Sequence, residues 1–257
     1  MKRFGSIARL AALGGLCLAG FAVRAEVPPN GPAYMDAAFA SVETMIKASE
    51  GRPSLPRLAD PVDGKVLADI WDEPAILGKK PYTGADIPAL LNVVQKQVRI
   101  LQVYTLFSPD RKPPDTARNV VEFQDELTQT HVFLLKAVAA ALQAINNFGA
   151  HLLADEKTDT RFQGIRQMRL GLQEIVTGAS LALRNPALKP ANQLLIARVL
   201  ADKAADIAAG IAPADRQAII ASLQAAQPVL KPDAKKAVAE FIQTVSAAPC
   251  DGLCRLN

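Results

Sequence analysis

VFLLKAVAAALQAI, residues 132–145, is the stretch that decides the fold. Lys136 and Gln143 are its only polar residues. At helical pitch this places apolar side chains nearly all the way round, and such a helix belongs among neighbours. Working outward, the apolar residues keep helical spacing. Val120, Phe123 and Leu127 come before, Leu152 comes after, in line with Leu134, Val138, Leu142 and Ile145. Glu122, Asp125, Gln129, Lys136, Gln143 and Asn147 take the other side. The pattern covers residues 115–154. A straight helix of that length would span about 60 Å, long for a globular domain, so a bend is expected near Gly149. The expected fold class is all-α: a multi-helix bundle around a long central helix.

The flanking sequence repeats the same period. Met35, Ala38, Phe39, Val42, Met45 and Ile46 predict a helix over 33–48. Ile87, Leu91, Val94, Val98 and Leu101 predict another over 86–107, with Asp86 and Pro88 suited to its first turn. Ile165, Met168, Leu172, Ile175, Val176, Ala179 and Leu183 make the inner face of a helix over 160–183. Arg166, Arg169, Gln173, Thr177, Ser180 and Arg184 share its opposite face, which reads as solvated. In the last third, Pro190, Pro213 and Pro232 each mark a first turn. These read as three helices stacked in short hairpins. Ile196, Leu200, Ala204, Ile207 and Ile211 form the inner line of the first of them.

The first 25 residues read differently. Lys2, Arg3 and Arg9 precede an uncharged, mostly apolar run at 10–23, and Val23-Arg24-Ala25 supplies small residues at cleavage spacing. That order is an export signal, with the mature chain expected to begin at Glu26. The run is too short for a spanning helix, and Leu16 before Cys17 is too large for a lipoprotein signal. No second run long enough to span a bilayer is expected after it. Four of the 29 Lys and Arg residues (Lys2, Arg3, Arg9, Arg24) and none of the 25 acids lie in this segment, leaving 25 against 25. A neutral mature chain excludes a nucleic-acid partner argued from overall charge. The expected location is periplasmic or secreted, and the expected organisation is a signal at 1–25, one helical domain at 26–249 and a cysteine-containing tail at 250–257.

One segment breaks the helical pattern. Residues 50–82 hold five prolines, three glycines, Tyr82 and Trp71, the sole tryptophan. With its flank to residue 85 it reads as a strap laid over the core, with a short helix near 65–71. A ring of this size needs burial, though a strap can also carry a ligand.

Candidate chemistry is sparse. Cys250 and Cys254 flank Asp251-Gly252-Leu253, a turn that permits a local disulfide in an oxidising compartment. A redox pair or a soft-metal site is the alternative; two thiolates are an incomplete zinc set, and haem attachment lacks its spacing and following histidine. The tail is expected to fray after Ala248 on reduction. His131 sits in the apolar stripe with Gln124 and Thr128 on its flank. It reads either as a core histidine bonded to a neighbouring helix or as one polar contact in an apolar pocket. His151 lies too far along the same helix to share a metal with it. Glu122, Asp125 and Glu126 fall on the polar face. No catalytic, phosphate-binding or metal motif emerges, so no catalytic residue, metal or cofactor is assigned. The weak candidates for ligand contact are His131, Gln124, Thr128 and Trp71. The sequence favours a non-enzymatic binding or adaptor protein whose partner is another envelope protein or a small apolar ligand. An enzyme or carrier using an interior pocket near His131 is the alternative.

Overall fold

The computed structural model describes residues 31–49, 52–78, 80–109 and 112–255 of the 257-residue chain. The expected export signal lies outside these residues. Among the described residues eleven α-helices follow in order: α1 (Pro32–Ala48), α2 (Asp63–Asp69), α3 (Glu73–Leu77), α4 (Ile87–Thr105), α5 (Thr116–Glu122), α6 (Gln124–Ala150), α7 (Asp159–Ala182), α8 (Pro190–Asp202), α9 (Ala204–Gly210), α10 (Pro213–Ala226) and α11 (Pro232–Ala247). There is no strand among the described residues.

α6 is the hub. α4, α7, α8 and α9 pack along it, α1 lies on α2, α3 and α4, α10 covers α7, and α11 covers α8 and α9. Leu134, Leu135, Val138, Leu142 and Ile145 are all fully enclosed. Each such side chain contributes roughly 1.5–3 kcal/mol of burial. Ala137, Ala140, Ala141 and Ala144 are buried between them, and small side chains there let neighbouring helices come close. Gly210, at the end of α9, uses this closeness: a Cβ there would stand 2.5 Å from Leu142 Cδ2.

The central helix bends elsewhere than expected. Gly149 stays helical, and α6 ends one residue later. The interruption is at Phe123 (φ −101°, ψ 26°), between α5 and α6. Phe123 is fully buried. Its ring meets Tyr104 and Phe107 edge to face at 5.3 and 5.7 Å, and the Arg57 guanidinium lies over it at 4.9 Å. Aromatic packing of this kind outweighs a local departure from helical geometry. Similarly, the 190–211 pattern is two helices, because Lys203 (φ −106°, ψ 8°) separates α8 from α9. One non-helical residue barely disturbs the apolar spacing, so periodicity passes over it.

By length and composition α6 is long and apolar enough to cross a membrane, contrary to the expectation of no second such run. Its burial among α4, α7, α8 and α9 accounts for the composition instead.

The faces also need correction. Arg169 and Ser180 on α7, expected on a solvated face, are buried at 3% and 0% exposure. Ser180 Oγ lies 3.0 Å from Ser222 Oγ on α10. Glu126, expected on the polar face of the central helix, is 1% exposed. In both cases a second layer covers what a single helix would leave wet: α10 and the tail over α7, the strap over α6.

The strap is short helices and turns. α2 arrives two residues earlier than expected, and α3 follows it. Asp72 caps α3, accepting from Ala75 N at 3.1 Å. Leu55, Leu67, Ile70, Ile76, Leu77 and Tyr82 are all buried.

Candidate functional site

The three candidates on α6 share one stripe but not one task. Gln124 Oε1 accepts from Lys189 N at 2.7 Å, and Lys189 is the residue preceding α8. Gln124 therefore satisfies a backbone N–H at the start of α8. Asp125 beside it accepts from Lys189 Nζ at 2.6 Å and from Asn192 Nδ2 at 2.8 Å. Burial alone would raise the Asp125 pKa, but these two donors outweigh it and hold the carboxyl below the usual range. Thr128 is buried, and its Oγ1 has no hydrogen-bond partner among the described residues.

His131 binds its own helix rather than a neighbouring one: Nδ1 lies 2.7 Å from Leu127 O. A carbonyl can only accept, so the neutral ring carries its proton on Nδ1 and leaves a lone pair on Nε2. Burial disfavours the imidazolium and lowers the pKa; the Leu127 carbonyl pulls the other way. The ring is neutral at physiological pH.

Trp71 belongs to another set. Its Nε1 donates to Gln97 Oε1 at 3.2 Å, and the Gln97 amide in turn donates to Ile70 O. Gln97 is fully buried on α4. Trp71 thus pins the strap to α4 through a satisfied polar chain, the packing role expected of a large ring.

The geometry adds groups that periodicity missed. Leu58 N donates to Glu126 Oε1 at 2.8 Å, and Arg57 Nε reaches the same oxygen at 3.3 Å. Arg57 Nη2 donates to Glu122 O at 2.6 Å. Tyr104 OH donates to Pro56 O at 2.8 Å, and burial pushes its pKa far up. Glu126 Oε2 is buried without a partner. This cluster ties the strap to the α5–α6 junction. Its one sequence signal was a glutamate directly before Leu127 of the apolar stripe.

A groove of about 720 Å³ opens between the end of α1, the strap and the end of α4. Ile46, Leu55, Val103, Leu106 and Phe107 line it, with Ser49, Arg99 and Gln102 as polar groups. Leu106 is 54% exposed there. Arg99 is held by Glu43 at 2.9 Å. His131 is not among the lining residues. The signal in the sequence was Leu106-Phe107-Ser108-Pro109, an apolar pair carried past the helix end.

At the other end of the molecule, Cys250 and Cys254 form a disulfide with Cα atoms 5.5 Å apart. Leu253 and Cys254 are buried, so the disulfide-bonded tail packs against the core. No group of three His, Cys, Asp or Glu side chains that could hold a metal occurs among the described residues. Comparison of the chain with protein-family models, curated proteins and solved structures found no match.

Proposed function

We propose that this chain is an exported, helical binding or adaptor protein of the bacterial envelope, holding a small apolar ligand or an apolar segment of a partner in the groove between α1 and α4. The observation that carries this reading is the groove itself. It combines an apolar wall, a few polar groups for orientation and an exposed Leu106, the usual make-up of a binding cleft. Export rests on the order of basic, apolar and small residues at 1–25. N-terminal sequencing of exported protein should begin at Glu26; a chain still starting at Met1 refutes the signal.

Native mass spectrometry of the exported protein tests the binding. The expected result is a copurifying apolar species that is absent from Leu106→Asp. Leu106 is exposed, so this variant should fold normally by circular dichroism. A bound species retained by Leu106→Asp would remove the groove from consideration.

A second reading, a site at His131, draws support from the unpaired buried Thr128 hydroxyl three residues away and the acceptor lone pair that Nδ1 protonation leaves on Nε2. Loss of the copurifying species in His131→Leu, with Leu106→Asp unaffected, would favour it.

A further inference from the structure

The segment 248–255 combines three features. It carries the chain's one described disulfide, it buries Leu253 and Cys254 under an otherwise largely exposed loop, and it is held by arginines rather than by a helix or strand ladder. Arg216, 5% exposed, donates to Ala248 O at 2.6 Å and Pro249 O at 3.0 Å. It keeps two further carbonyls in its own neighbourhood, Ala208 O at 2.7 Å and Ile211 O at 2.9 Å. Arg169 is placed differently. Its Nη1 donates to Leu253 O at 2.7 Å, and its buried Nε has no hydrogen-bond partner. Arg169 therefore depends on the tail, whereas Arg216 does not.

The tail is fitted to this position. Leu253 N donates to Asn146 Oδ1 at 3.3 Å, and Gly252 lies so close to the same oxygen that a Cβ would collide with it. Leu253 packs against Gly149, where a Cβ would meet its Cδ2 at 3.6 Å. The 3-10 turn Leu253–Arg255 rests on α6 and α9. Arg255 closes the loop from outside, donating to Cys250 O at 2.6 Å and Asp251 Oδ1 at 2.9 Å. Arg169 bears its charge at a cost. Burial and neighbouring Arg166 disfavour the charged form, while Asp215 favours it.

We propose that residues 248–255 are a redox-operated latch over Arg169: the disulfide form covers the guanidinium, and two-electron reduction by a dithiol uncovers it beside Arg166. Cys250 is half-buried and Cys254 is enclosed, so the donor thiolate attacks Cys250 Sγ. The S–S bond breaks, Cys254 leaves as a thiolate and takes up a proton. The donor's second thiolate then displaces Cys250, which is protonated in turn. The donor ends as a disulfide and the tail as two thiols. The closed loop restricts the open tail, and removing that restriction favours opening by roughly thirty-fold on the chain-entropy estimate for a five-residue loop. The latch is independent of the groove at α1 and α4, and its test uses no ligand.

The experiment compares the full chain oxidised and reduced by dithiothreitol, with reduction confirmed by intact mass. Amide exchange at Leu253 and phenylglyoxal modification of Arg169 are followed by mass spectrometry, and far-UV circular dichroism monitors the helices. Both rates should rise on reduction, by roughly thirty-fold for the amide, with helicity unchanged. Cys250→Ser/Cys254→Ser should behave as the reduced chain does. Unchanged rates after full reduction, or a closed double variant, would overturn the latch. Loss of helicity on reduction would overturn it too, because the bridge would then be a staple of the whole fold.

Discussion

The strap near residues 52–62 gives a backbone N–H, that of Leu58, to the buried Glu126 carboxylate. The tail gives carbonyls, those of Ala248, Pro249 and Leu253, to buried Arg216 and Arg169. Neither segment is held within an α-helix: Leu58 lies in a turn and Leu253 opens a 3-10 turn. Both therefore have backbone groups that no helix of their own satisfies, and buried groups must be paired. At their charged ties the strap meets an acid through an N–H and the tail meets bases through carbonyls, while Pro56 O and Leu253 N make the opposite ties to the neutral Tyr104 and Asn146. The two attachments also differ in reserve. Arg57 helps Glu126 and Tyr104 holds Pro56, so the strap has several ties. The tail rests on two arginines, the side chain of Asn146 and one disulfide.

The largest effect should come from the tail side. Arg216→Leu removes the guanidinium donor from four carbonyls, of which Ala208 O keeps Ile211 N, and should cost about 3–5 kcal/mol, measured by urea unfolding. A loss under about 1 kcal/mol would break the comparison, since the tail would then be held by something other than its arginines.

On the strap side, Glu126→Ala should cost about 2–3 kcal/mol, because Leu58 N and Arg57 lose their acceptor. Glu126→Gln keeps an acceptor oxygen and should recover much of that loss. Equal losses for the two variants would mean that the charge matters, not the hydrogen bond.

His131 lies between the two attachments on α6 and measures a part-buried bond to its own helix. Its pKa is lowered on folding, so the unfolded chain binds the proton more readily. The associated stability is complete above the unfolded value, about 6.5, and falls as pH drops through it towards the folded value. His131→Leu should change stability by at most about 1.5 kcal/mol at neutral pH and should flatten the decline in melting temperature between about pH 7.5 and 5.5. A decline of undiminished slope would place the acid sensitivity elsewhere.

The smallest effect belongs to the surface. Arg118 pairs with Glu122 at 3.2 Å in an i,i+4 arrangement, with Arg118 largely exposed. Arg118→Ala should shift stability by less than about 0.5 kcal/mol. A larger shift would show that Glu122, whose carbonyl holds Arg57, transmits strain to the strap.

The helices were legible because apolar spacing repeats. The run at 132–145 marked α6 as the hub, and Pro190, Pro213 and Pro232 marked the starts of α8, α10 and α11. Both internal breaks escaped, since Phe123 and Lys203 each interrupt a helix without shifting its stripe by more than one residue. Of the candidate contacts, Trp71 was read as either a packing ring or a ligand contact, and its indole N–H is taken up by Gln97. Gln124 and His131 bond to Lys189 N and Leu127 O, backbone atoms that composition does not reveal.

The sequence by itself determined that the chain is helical, which residues form the central core and where most helices begin, because period and proline position are local properties. The tertiary structure alone decided which polar residues are buried. Glu126, Arg169 and Arg216 carry charges that a single helix would turn to water. Each is enclosed because a segment distant in sequence supplies the matching backbone atom, and the benefit of such a pairing exists only once both segments are in place.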